Sequence, residues 1–398
     1  MFHNVRWGLA LTALVLSTAC GGGTPSASSS GPIIIGASVG MTGILAPWDQ
    51  PANVMAQFAV DDFNAKGGIL GRQIQLITAD TKSDRSLGST TALEVINKGA
   101  KMVIVACDFD YGSPSALVAQ SKGLVSFSTC AADPKFGVQG IGPLAFTMST
   151  GTPAQGALMA EWAYNKQGYK SAFLFLDTTV EYDKSLCGYF QKRFTELGGP
   201  SSITQDTFKN DDPSVATQIT RFKALSPKPA AILMCSYGTG GASAIKQLRA
   251  AGIDTPILGS ESMDGDYWTN AVPNLSNWFH AAYGSIWGDD PNPKINELVK
   301  RYIDKEGKKP DIGDALTGYS VIEAYLTAVK RANSTDGQAV KAELEKYSLE
   351  PFTVGATTFS PSLHMSLVGR PMAIIGCQNG KFKFIEYYAA QKVPAVTF

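Results

Sequence analysis

Ile33-Ile34-Ile35-Gly36-Ala37-Ser38-Val39, followed by residues 53–65 and then Gly67-Gly68, is the stretch whose reading decides the fold. The first run is apolar and bounded by proline and glycine, as a buried strand is. In the second, Val54, Met55, Phe58, Ala59 and Phe63 recur at helical spacing and form one apolar stripe, with Asp62 as its polar exception. Glycine accepts the left-handed backbone that ends a helix, so Gly67-Gly68 closes this one. The alternation continues with a strand over 73–79, a helix over 87–97, a strand over 102–106, a helix over 114–121 and a strand over 124–129. Strands and helices alternating at these lengths indicate βαβ units on a parallel sheet.

The same grammar restarts after Gly151-Thr152-Pro153. A helix over 154–165, a strand over 172–176 and a helix over 182–197 lead to Gly198-Gly199-Pro200. A strand over 230–235, a helix over 242–251 and a short strand over 257–259 follow. Residues 293–347 read as mostly helical, and 354–388 as strand with a turn at Asn379-Gly380. The expected architecture is α/β, with two Rossmann-like lobes and parallel central sheets. Periodicity alone does not assign the late elements to a lobe. Ligands of open parallel sheets sit outside the carboxyl ends of the strands, so two such lobes facing each other make a binding cleft.

Composition narrows the function. Thirty-four basic and 34 acidic residues balance, which leaves no footprint for nucleic acid or anionic lipid. The first strand-to-helix turn lacks GxGxxG, and no cofactor motif replaces it. At the amino end Arg6 precedes an apolar run from Trp7 to Leu16, too short for the ~20 residues that span a bilayer, as in an export signal. Ser17-Thr18-Ala19 then lead into Cys20, and a Gly/Ser segment follows. This resembles a bacterial lipoprotein signal: a signal peptide over 1–20, lipidation at Cys20 and a flexible tether over 21–31. The resemblance implies a protein anchored to the outer face of the cell membrane. Cys107, Cys130, Cys187, Cys235 and Cys377 remain, an odd number without CxxC spacing. With only three histidines in the chain, no zinc site of ordinary spacing is expected.

A wider resemblance rests on Ile34-Ile35-Gly36-Ala37, on Met41-Thr42-Gly43 and above all on Ala59-Val60-Asp61-Asp62-Phe63-Asn64-Ala65-Lys66-Gly67-Gly68-Ile69-Leu70-Gly71-Arg72. With Asp80-Thr81-Lys82-Ser83-Asp84 downstream, the chain resembles the leucine/isoleucine/valine-type substrate-binding proteins of ABC transporters. The resemblance implies two lobes joined by three strands, closing on a small solute for delivery to a permease and its ATPase subunits. It implies lobe 1 over 32–150 plus about 285–352, and lobe 2 over 151–284 plus about 353–398. It also implies a monomer without enzymatic activity.

The resemblance carries several site residues. Trp48, in the loop after the first strand, matches an aromatic that covers the ligand, and Tyr111 stands in the loop after the third. Ser113-Pro114 opens the next helix and either caps it or offers its amides to a ligand carboxylate. Asp108, Phe109, Asp110 and Tyr111 are unusual for a loop that the family keeps small and serine-rich. Two carboxylates there repel a ligand carboxylate unless they point away or meet an amine or hydroxyl. Ser128, Thr129 and Ala131 belong to a second ligand loop, in which Ala132 replaces the family's threonine. In the second lobe Tyr182 and Tyr237 follow strand ends, and Glu261 matches the acid that pairs with the ligand's ammonium. The ligand expected from these matches is an amino acid or a related carboxylate. Cys107 and Cys130 end neighbouring strands and are expected to bridge; Cys187 with Cys235 is a second pairing.

Two rival readings remain. The same fold serves as an extracellular ligand sensor, which would need a partner receptor. Gly36-Ala37-Ser38-Val39-Gly40 also matches the GxSxG elbow of serine hydrolases. In that elbow the strand turns directly into a helix, whereas here residues 41–50 intervene, and only His280 or His364 is available as base.

Overall fold

The computed structural model describes residues 1–3 and 31–398. The signal segment, Cys20 and the tether up to residue 30 lie outside the described residues. Among the described residues no helix is long and apolar enough to cross a membrane.

The chain runs β1 (Ile33–Val39), α1 (Ala46–Ala65), β2 (Ile74–Asp80), α2 (Gly88–Asn97), β3 (Met102–Val105), α3 (Phe109–Ser121), β4 (Val125–Ser128) and β5 (Ala145–Thr147). These five strands form an all-parallel sheet in the order β2-β1-β3-β4-β5, with Ile35 of β1 opposite both Leu76 and Met102. Then follow α4 (Thr152–Glu161), β6 (Ala172–Asp177), α5 (Glu181–Gly198), β7 (Ile203–Phe208), α6 (Ala216–Ala224), β8 (Ala231–Cys235), α7 (Gly238–Ala250), β9 (Ile257–Gly259) and β10 (Trp278–Ala282). The chain ends with α8 (Pro293–Glu306), α9 (Ala315–Ala332), α10 (Gly337–Leu344), β11 (Glu350–Phe352), β12 (Gly355–Thr357), β13 (Met372–Gln378) and β14 (Lys381–Tyr388). The second sheet has the order β14-β13-β10-β9-β8-β6-β7, parallel except where β13 joins β10 and β14. Asn379 and Gly380 form the β13–β14 turn with φ of 50° and 72°, the double left-handed geometry that Asn-Gly favours.

The late helices return to the first lobe. α8 and α9 pack on α1, and α10 packs on α9 and β4. Gly318 of α9 lies so close to α1 that a Cβ there would stand 1.9 Å from the Ala52 carbonyl oxygen. Gly318→Ala is therefore expected to force the helices apart and cost about 1–3 kcal/mol, seen as a lower urea midpoint with the slope unchanged.

Three segments carry the chain between the sheets: after β5, after β10 and before β13. They touch one another. Tyr283 Oη lies 2.6 Å from Ser149 Oγ and accepts from Thr150 N, while Thr150 bridges to Ser366. Arg370, 4% exposed, donates to the carbonyls of Met148 and Ala356 and so ties the first crossing to the third.

Three helices begin four or more residues before the sequence expectation: α1, α3 and α7, the last at Gly238 and not at 242. α1 begins at Ala46 and runs through Pro51, so Trp48 stands on its first turn and not in a loop. Asp49 holds this start: its Oδ2 accepts from Gly40 N at 2.6 Å and its Oδ1 from Cys107 N at 2.9 Å, fastening α1 to the ends of β1 and β3. α3 begins at Phe109, with Asp108 as its cap and Pro114 inside it. The Ser113 hydroxyl donates to Phe109 O within the helix, so Ser113 caps nothing.

Candidate ligand-binding site

β1 lies between β2 and β3 in the first sheet, and β6 between β7 and β8 in the second. Chain segments leaving neighbouring strands diverge at such points, and a crevice opens beyond the carboxyl ends. The two crevices face each other across one cavity. From the first lobe its wall takes Leu45 and Trp48 after β1, Cys107, Asp108 and Tyr111 after β3, and Cys130 and Ala132 after β4. From the second it takes Val180 and Tyr182 after β6, Tyr237 after β8, and Glu261 and Ser262 after β9. The cavity is small: the centre of a water-sized sphere can move through about 40 Å³ of it.

The lobes meet at its rim. The rings of Trp48 and Tyr267 make an edge contact at 5.2 Å. Glu181 N donates to Asp110 Oδ2 at 2.9 Å, and Lys135 pairs with the Glu181 carboxylate. Tyr267 Oη donates to Ser262 O and accepts from Gly238 N, which joins the segments after β8 and β9.

Of the residues expected at the ligand, Trp48, Tyr111, Tyr182, Tyr237 and Glu261 come together in this wall. Ser113, Ser128, Thr129 and Ala131 are not part of it. The Ser128 hydroxyl donates to Ala106 O and accepts from Ala131 N, making the turn after β4. Thr129 is 2% exposed, and its hydroxyl has no hydrogen-bond partner. Leu45, Val180 and Ser262 were missed by the sequence reading, although each sits one to three residues from a residue that it chose.

Cys107 and Cys130 form a disulfide with Cα atoms 4.9 Å apart, and Cys187 and Cys235 form another at 6.0 Å. The first makes part of the cavity wall. Cys377 is free and buried.

Acidic groups dominate the electrostatics. Glu261 is 3% exposed and its Oε1 has no hydrogen-bond partner. Burial first, then the neighbouring carboxyls of Asp314 and Asp264, pushes its pKa well above the ordinary carboxylate range. Asp108 is pushed up to about 7, mainly by burial and next by Asp110. Its backbone is held at φ 107°, and its own Oδ1 accepts from the amides of Asp110 and Tyr111 at 2.8 and 3.3 Å. Behind the wall, burial likewise raises Asp183 and Asp314.

Ser38 of the GxSxG match is buried, with its hydroxyl 2.7 Å from Thr91 Oγ1 and 2.9 Å from Ser115 Oγ. His280 bonds to Trp278 and Asp264, and His364 to Ala145 O and Glu345. Neither histidine bonds to Ser38.

Two α/β lobes closing their strand ends over one cavity define a two-lobe solute-binding protein. The chain belongs to the periplasmic binding protein family, whose sequence profile matches residues 32–381. Among its relatives is a Leu/Ile/Val-binding protein homolog 3 of Brucella melitensis, 23% identical over 78% of this chain and 82% of that protein. Another is the Leu/Ile/Val-binding protein BraC3 of Rhizobium johnstonii, 24% identical over 82% and 87%. Among solved structures, the fold is similar to a branched-chain amino acid transporter substrate binding protein, LivJ, of Streptococcus pneumoniae in complex with isoleucine. That match has a TM-score of 0.77 and 21% identity over 90% of this chain and 99% of that one.

Proposed function

We propose that this protein is the extracytoplasmic solute-binding component of an ABC importer. It is held at the outer face of the membrane through lipidated Cys20 and works as a monomer. Its lobes close on a small solute and present it to a permease and its ATPase subunits. One observation carries this reading: the strand-end segments of both sheets converge on a single cavity in which a buried glutamate has an unpartnered oxygen. An isolated buried carboxylate is costly to ionise, and a ligand ammonium relieves that cost. The names of the relatives point to amino acids as the ligand class, and Trp48 with the three tyrosines supplies contact area that excludes water.

Thermal-shift screening of the purified protein against amino acids, their amides and amines, aromatic acids and polyols tests this reading. A solute present at 100 times its Kd adds about 2.7 kcal/mol to stability, or about 3–4 °C for a chain of this size. Trp48→Ala is expected to weaken that solute by about tenfold, since part of the cover is lost. A flat response to the whole panel overturns the reading.

A further inference from the structure

The cavity is one-sided in charge. Its wall holds the carboxyl groups of Asp108 and Glu261 and the rings of Trp48, Tyr111, Tyr182 and Tyr237, and among the described residues no lysine, arginine or histidine lines it. Two more carboxyls stand close behind. Asp314 Oδ2 lies 4.0 Å from Sγ of the wall residue Cys107. Asp183 is fully buried, and neither of its carboxyl oxygens has a hydrogen-bond partner. Arg85 stacks on the Tyr111 ring at 4.5 Å and pairs with Asp110 at 3.8 Å, with 45% of its side chain exposed.

A ligand carboxylate needs donors, and three backbone amides after β3 and β4 are taken, while the unpartnered Thr129 hydroxyl lies outside the cavity wall. At the start of α3 the amides of Asp110 and Tyr111 donate to the Asp108 side chain. After β4 the amide of Ala131 donates to Ser128 Oγ. A carboxylate brought to the α3 terminus therefore meets another carboxylate already bound there. Aromatic rings and buried acids without a basic partner form instead the surroundings that hold an organic ammonium.

We propose that the cleft takes a small organic cation without a free carboxylate, an alkylammonium or amidinium whose positive group faces Glu261 and Asp108 against the four rings. This rests on the solute-binding reading and departs from the amino-acid class that the relatives' names suggest, since it leaves no place for the zwitterion's carboxylate. Glu261 supplies the unpartnered oxygen, and Asp108 excludes the zwitterion.

Four probes that share the branched carbon chain of leucine separate the possibilities: leucine, leucinamide, 3-methylbutylamine and 4-methylpentanoate. Titration calorimetry on the wild-type protein is expected to show leucinamide and 3-methylbutylamine binding at least tenfold more tightly than leucine, with 4-methylpentanoate silent. Leucine binding as tightly as leucinamide, or 4-methylpentanoate binding at all, overturns the cation proposal and leaves the solute-binding reading standing. Silence from all four also overturns it. The wider panel above then decides whether the solute-binding reading survives. Asp108→Gly keeps the left-handed backbone available and frees the α3 amides, so leucine is expected to gain at least tenfold relative to leucinamide. Asp108→Asn keeps a capping side chain without its charge and is expected to give a smaller gain. An unchanged leucine-to-leucinamide ratio in both folded variants overturns the role given to Asp108.

Discussion

Replacing Glu261 with glutamine is expected to weaken binding of an amine-bearing solute by about 100-fold or more while leaving the fold intact. The backbone there does not depend on the carboxyl group. Ser260 and Ser262 both donate to Ser236 O, at 2.7 and 3.0 Å, and pin the turn after β9 to the end of β8. What the substitution removes is charge. Removing one partner of a buried charge pair costs about 2–5 kcal/mol, and every 1.4 kcal/mol is about tenfold in affinity. The ligand-free variant is expected to be no less stable than the wild type, because the repulsion between Glu261 and Asp314 is gone. Titration calorimetry and thermal unfolding check the two halves of this expectation. Affinity retained within tenfold removes Glu261 from the site.

Raising the pH from 6.5 to 8 is expected to destabilise the ligand-free protein substantially. Asp49 and Asp108 are pushed up to about 7, and Asp183, Glu261 and Asp314 are held well above the ordinary range, each mainly by burial. A carboxyl whose folded pKa exceeds its unfolded one binds more protons in the native state. Its stabilising contribution is full below about pH 4 and is lost as pH rises through the folded pKa. Between pH 6.5 and 8 the loss is about 1 kcal/mol for each of Asp49 and Asp108, and Asp183, Glu261 and Asp314 act in the same direction. His364, lowered by burial, acts in the opposite sense, with its contribution lost as pH falls below about 6.5. Glu181, lowered by Lys135 and Lys184, loses its contribution only in the carboxylate range near pH 4. A bound cation favours the ionised form of Glu261, so saturating ligand should flatten the fall and release protons on binding. Thermal unfolding at the two pH values, with and without ligand, reads the slope. A ligand-free protein more stable at pH 8 than at 6.5 contradicts the assignment.

Much of this was legible along the chain, where the signal is local. β1, β3, β6 and β8 are apolar runs each followed by a helix, and the Asn379-Gly380 turn declares its hairpin by residue type alone. Tyr182, Tyr237 and Glu261 come from the family resemblance, which places aromatics and an acid after strand ends, and strand order sets them at the cleft. The start of α3 was misread because Ser113-Pro114 looks like a helix opening, although Asp108, with helix amides two and three residues on, carried the better capping signal. Polar β7 lacks the apolar run by which strands are recognised, and in β10 His280 interrupts it. The amino-acid sequence by itself determined the alternation of strands and helices and which side chains end the strands, since both follow from periodicity and turn chemistry. Only the tertiary structure decided that Asp108, Glu261 and Asp314 share one buried region and that the α3 amides are already occupied. Burial and electrostatic coupling depend on groups that lie far apart along the chain, and no local pattern encodes them.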